Sequence, residues 1–198
     1  MVACVCAAIT AVLGAWYAGG SYAGGVDRAV DPRLTSKLSG HHQLTDAVVN
    51  IGSPVAVAVL TVLLLLTLLY LRRPRAALLA ALAPPVASAI TEWVLKPLVE
   101  RNRGGSWSYP SGHTTGVFAV AVVVVVLMLD RMPPRLPVAV RLAVSAGALA
   151  VATGVALASV ASGNHYATDT LGGACVAGAT VLILSLIVDA VADARASR

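Results

Sequence analysis

Residues 106–129 read SWSYPSGHTTGVFAVAVVVVVLML, and the two halves of this stretch obey different rules. From Val117 to Leu129 every side chain is apolar, with no glycine, proline or charge. Such a run neither alternates like a half-buried strand nor keeps a polar face for water. It suits the hydrocarbon core of a bilayer, where a helix satisfies its own backbone within the segment. The polar half, ending in Ser111-Gly112-His113, therefore stands at the mouth of a membrane helix.

The rest of the chain agrees. Of its 198 residues 58% are apolar and 12% charged, and the mean hydropathy is +0.84. A soluble domain carries about twice that charged fraction. Apolar segments near the roughly 20 residues that cross a bilayer fall at about 2–20, 47–71, 76–98, 114–130, 141–161 and 169–190. These predict an all-α, polytopic membrane protein: one domain over residues 1–198, with six transmembrane helices in a bundle. The first segment lacks the basic flank and cleavage site of a secretory signal and is expected to be retained. Pro54 suits the first turn of its helix, whereas Pro84 and Pro85 predict a kink.

The net charge of +5 lies in loops and speaks to topology, not to a nucleic-acid partner. Arg72, Arg73 and Arg75 fall in one inter-span loop, Arg131, Arg135 and Arg141 in another, and Arg195 and Arg198 in the tail. Six spans put all of these on one side, the cytoplasm by the positive-inside bias, with both termini there. Residues 21–46, 99–113 and 162–168 then face the periplasm or cell exterior. Within the first of these loops Val30, Leu34 and Leu38 recur at helical spacing and predict a short helix lying in the outer interface. Cys4, Cys6 and Cys175 sit in apolar segments without a CxxC or Cys/His cluster, so neither a zinc nor a redox site is indicated.

The polar residues of the outer side converge. Lys96 ends the third segment, Arg101 and Arg103 follow, and Pro110-Ser111-Gly112-His113 opens the fourth. ASVASGNHYATDTLGG sets His165 and Asp169 at the mouth of the sixth. Charged groups at membrane depth are costly and mark function. Three cations suit phosphoryl oxygens, which arginine can grip two at a time. Ser111 and Gly112 would present backbone N–H groups and the positive end of a helix dipole to an anion. Two histidines can divide the work of ester cleavage, one attacking phosphorus and the other protonating the leaving oxygen. His165 is the better nucleophile, because Asp169 one helical turn on can hold a ring N–H, and His113 is left as the acid. Trp107 and Tyr109 flank this cradle as expected interface anchors.

These blocks resemble the type 2 phosphatidic acid phosphatase superfamily, whose signature runs K-x-x-x-x-x-x-R-P, then P-S-G-H, then S-R-x-x-x-x-x-H-x-x-x-D. Lys96 and Arg103 keep the spacing of the first block, with Gly104 where the family has proline. Pro110 to His113 match the second in full, and His165 and Asp169 match the third. Ala158 and Ser159 stand where the family has Ser-Arg, so one phosphate-binding arginine is missing, a role for which Arg101 is the expected substitute. The resemblance implies a cofactor- and metal-independent phosphatase. His165 is then the nucleophile of a phosphohistidine intermediate and His113 the general acid, while Lys96, Arg103, Ser111 and Gly112 hold the phosphate. The expected partner is a lipid phosphate or pyrophosphate in the cell membrane. Polyprenyl pyrophosphate leads phosphatidylglycerophosphate, phosphatidic acid and a polyprenyl-phosphosugar phosphate. A non-hydrolytic lipid-phosphate transporter or binding protein with the same cationic pocket is the alternative. The sequence leaves the oligomeric state open.

Overall fold

The computed structural model describes residues 1–129 and 136–196; Arg131, Arg135 and Arg198 lie outside them, and of Arg195 only the backbone is described. The chain begins with an apolar helix α1 (Val2–Tyr17) and then α2 (Gly25–Leu38), the short helix expected between the first two segments. Next come α3 (His42–Ile51) and α4 (Pro54–Tyr70), bent by 49° where one straight span was expected over 47–71. The break is local chemistry. Gly52 ends α3, Pro54 cannot donate to a continuing helix, and the Ser53 hydroxyl accepts the Ala56 N–H at 3.3 Å to start α4 afresh. A Cβ on Gly52 would lie 2.7 Å from Val155 and 3.0 Å from the His113 carbonyl, so the break is pressed against the mouth of the fourth segment.

Helix α5 (Pro74–Ala89) continues through a π-helical turn (Ile90–Leu95) into α6 (Lys96–Val99). The Lys96 N–H bonds back to the Thr91 carbonyl, five residues earlier, and Pro97 has no N–H with which to resume the α pattern. Pro84 and Pro85 sit inside α5 without ending it. A two-stranded hairpin follows, β1 (Asn102–Arg103) and β2 (Ser106–Trp107), and then α7 (Gly112–Leu129), α8 (Val138–Ala161) and α9 (Ala167–Ala196). The hairpin turn is Gly104-Gly105, at φ +60° and +86°. Proline is fixed near φ −65° and cannot occupy that turn, which accounts for the departure from the family pattern at Gly104.

Among the described residues, Pro74–Val99, Gly112–Leu129, Val138–Ala161 and Ala167–Ala194 are each long and apolar enough to cross a bilayer, and the bent α3–α4 pair makes a fifth span if counted as one. Six spans were expected, and the described residues give four or five. Helix α1, with 16 residues, reaches only about 24 Å against a hydrocarbon core of about 30 Å. The helices interlock through small side chains: Ala77, Ala80, Ala83 and Ala87 of α5 are buried with Ala119 and Val123 of α7 and Ala177 and Val181 of α9. At one end α5 begins and α9 ends, joined by Arg75 and Asp193 at 3.1 Å. The end of α6, the openings of α7 and α9 and the close of α8 lie at the other.

Candidate functional site

The hinge residues of that second end carry the polar chemistry. Ser111 is the N-cap of α7: its hydroxyl accepts the Thr114 N–H at 3.4 Å, and its own N–H donates to the Asp169 carbonyl at 3.0 Å. The side chain is fully buried, so what Ser111 offers a ligand is the geometry of the helix opening. Gly173 of α9 lets this happen, since a Cβ there would lie 2.6 Å from the Ser111 carbonyl. Thr91 in the π turn donates to Thr115 of α7 at 3.1 Å, pinning the two elements just below the opening.

On this frame the imidazoles of His113 and His165 face one another with ring centroids 6.4 Å apart. His165 is held by Nδ1, which donates to the Ser108 carbonyl at 3.0 Å and leaves Nε2 without a partner among the described residues. The sequence assigned that role to Asp169, but its nearer oxygen lies 3.9 Å away and accepts the Tyr166 N–H at 2.9 Å. The loop carbonyl does the orienting instead, and nothing in residue type could have announced a backbone group.

Lys96, the first residue of α6, reaches across to the opening of α7. Its ammonium pairs with Glu92 at 2.8 Å and lies 3.7 Å from where a Cβ on Gly112 would be. The π turn sets Glu92 on the same wall: its Oε1 comes within 2.3 Å of that imaginary Cβ. A side chain at 112 would displace this carboxylate.

Arg103 and Arg101 stand elsewhere. Arg103 donates to Asp31 at 3.2 Å and stacks on the Tyr166 ring, its carbon 4.1 Å from the centroid, at the rim beside His165. Arg101 has no exposure at all. Its guanidinium donates to Asp169 at 2.5 Å, to Thr168 at 2.7 Å, to Asp27 at 2.7 Å and to the Tyr22 carbonyl at 3.1 Å, sandwiched between Tyr17 and Tyr166. The phosphate role expected of Arg101 does not fit these surroundings, because its terminal nitrogens are committed to protein partners and water is excluded. Ser159 is likewise fully buried.

The residues that sequence reasoning missed are Asp27 and Asp31, on one face of α2. Asp27 accepts the Thr168 N–H at 2.9 Å and Asp31 the Ala167 N–H at 3.1 Å, so both cap the start of α9. Burial pushes the Asp27 carboxyl up, but the Thr168 amide, Arg101, the Gly24 amide and the Thr168 hydroxyl outweigh it and leave it below 3.8. Burial prevails at Asp31, whose carboxyl stands above its ordinary value despite the Ala167 amide and Arg103. The i, i+4 spacing of the two acids was the available signal, hidden by the apolar reading of Val30, Leu34 and Leu38. Tyr109, expected as an interface anchor, is instead fully buried, its hydroxyl donating to the Thr10 carbonyl at 2.8 Å; Trp107 beside it is exposed.

From His113, Lys96 and Glu92 a cleft of about 670 Å³ descends between α4, α5 and α7. Val57, Ala58, Val62, Pro84 and Pro85 make its apolar walls.

A family model described as the PAP2 superfamily matches residues 47–192. Among solved structures, the chain is similar to the crystal structure of a transmembrane PAP2-type phosphatidylglycerolphosphate phosphatase from Bacillus subtilis. The TM-score is 0.74 and the identity 19%, over 93% of this chain and 94% of that one. At that identity the likeness shows the fold. No curated protein sequence matches the chain.

Proposed function

The chain belongs to the PAP2 superfamily, and from that premise we propose that it is a membrane phosphatase acting on a lipid phosphate or pyrophosphate, without metal, through a phosphohistidine intermediate. The observation that carries the reading is the pair of imidazoles at 6.4 Å, with His165 tied down by Nδ1 opposite His113 in the first turn of α7. A phosphoryl group fits between two such rings. His165 Nε2 attacks phosphorus as the bond to the lipid oxygen breaks, and protonated His113 gives its proton to that oxygen. Neutral His113 then takes a proton from water, whose oxygen attacks phosphorus, and the P–N bond breaks to release phosphate. The Ser108 carbonyl steadies the ring N–H throughout, and Asp169, held by Arg101, supplies negative charge near the imidazole as it becomes positive. Lys96, Arg103, Gly112 and the α7 opening capped by Ser111 hold the phosphoryl oxygens.

The apolar cleft at His113 supports a lipid substrate, since a tail can lie between α4, α5 and α7 while its phosphate stays at headgroup depth. Arg72, Arg73 and Arg75 lie at the end of the bundle away from the site, which by the positive-inside bias supports a site facing the periplasm or exterior of a cell membrane. Purified protein in detergent with EDTA is expected to release phosphate from a lipid phosphate, and His165→Ala to reduce the rate at least about a thousandfold. Undiminished release by that variant would remove the mechanism.

A further inference from the structure

Resting on the phosphatase reading, we propose that Glu92 sets the substrate class: this site takes lipid phosphomonoesters in preference to lipid diphosphates. Its carboxylate stands beside Lys96 and His113 at the head of the cleft, on the side from which the leaving group departs. Oε1 lies against Gly112, the first residue of α7, next to His113. Its partner is Lys96, so the cradle's nearest cation is answered from within the protein.

The direction of the cleft decides what lies beside Glu92. A substrate tail runs from His113 down between Val62, Pro84 and Pro85, so the leaving group lies between the attacked phosphorus and that cleft. Glu92 lines the top of the same cleft with Lys96 and His113. In a monoester the group passing there is an alcohol oxygen, which leaves neutral once His113 has protonated it. In a diphosphate the group passing there is a second phosphate, and a like charge beside Glu92 is repelled.

The wider site points the same way. Of the two cations left for the phosphate, Lys96 is paired with Glu92 and Arg103 with Asp31, so each is already answered by a carboxylate. A pocket built to hold three or four phosphate charges would leave cations in excess. This reverses the order of substrates expected from the sequence, which put polyprenyl pyrophosphate first.

Farnesyl phosphate and farnesyl diphosphate share a tail and differ by one phosphate, which isolates the question. With wild-type protein kcat/KM is expected to be higher for the monophosphate. In Glu92→Gln, which keeps the shape and removes the charge, the diphosphate-to-monophosphate ratio is expected to rise about tenfold, equal to about 1.4 kcal/mol. Glu92→Asp is expected to keep the wild-type order. A ratio unmoved by Glu92→Gln, or a wild-type preference for the diphosphate, would overturn the assignment. Affinities of both lipids for His165→Ala, with and without Glu92→Gln, give the same ratio without turnover. Absent phosphate release would therefore sink the phosphatase reading alone, while an affinity ratio unchanged by Glu92→Gln would sink the role of Glu92.

Discussion

Lys96 and Arg101 are five residues apart, carry the same charge and occupy opposite situations. Lys96 pairs with Glu92 and stands at the head of an open cleft. Arg101 has four partners from three parts of the chain and no contact with solvent. The first arrangement leaves an ammonium that can exchange its partner for a phosphate at modest cost. The second spends the guanidinium on two carboxylates that would otherwise be buried unpaired, and so ties α2 and the loop after α6 to α9. A motif reads both as cations near a phosphate, whereas the fold leaves one at an open cleft and uses the other to tie down the floor beneath it.

The sharpest way to break that contrast is to remove each charge in turn. Arg101→Met leaves Asp27 and Asp169 without their main cation, and breaking a buried pair in this way costs about 3–5 kcal/mol. The variant is expected to lose much of its thermal stability in detergent, with its activity falling alongside. Lys96→Met is expected to leave the melting temperature nearly unchanged and to lower kcat/KM about a hundredfold, by about 2.7 kcal/mol. Matched losses of stability in the two variants would erase the distinction between front and floor.

The helical architecture was legible because apolar runs of membrane length have few other ways to fold. Pro54 announced the start of α4, and the Pro-Ser-Gly-His block announced a capped helix mouth. His113 and His165 were legible as a pair because each stands at the edge of such a run. What stayed hidden depended on contacts between distant residues. The bend before α4 is set by Gly52 packing on Val155 and His113, which no local pattern reveals. The partner of His165 is a carbonyl, which every residue possesses. Asp27 and Asp31 looked like the solvated side of an interfacial helix, yet they are its buried side, because the open N-terminus of α9 was waiting for acceptors. Arg101 looked available only because its partners lie 67 or more residues away in sequence.

The hairpin offers a smaller test of the same contrast, since it carries Arg103 at the rim. Gly104→Pro restores the family residue but demands a φ that the turn does not have, at an expected cost of about 1–3 kcal/mol. Gly104→Asn, which tolerates the left-handed region, is expected to be close to neutral. Equal stability of the proline variant and wild type would mean that the turn is remade without penalty.

Acid should then separate rim from floor without any substitution. Asp31 stands above its ordinary value, so as pH falls it is the first of the pair to take a proton, and the Arg103 contact is released while the fold persists. Asp27 stands below 3.8. A depressed carboxyl contributes stability that is complete above its unfolded value and lost only as pH falls through the lower folded one. Between these two events the floor remains tied and the rim does not. Thermal melts in detergent are expected to hold steady down to about pH 4 with respect to Asp27 and to fall steeply below it. Asp27→Asn should start lower at neutral pH and lose that steep acid limb, since it has no proton left to gain. An acid limb identical in wild type and Asp27→Asn would show that the Arg101 cluster does not govern the acid stability of the fold.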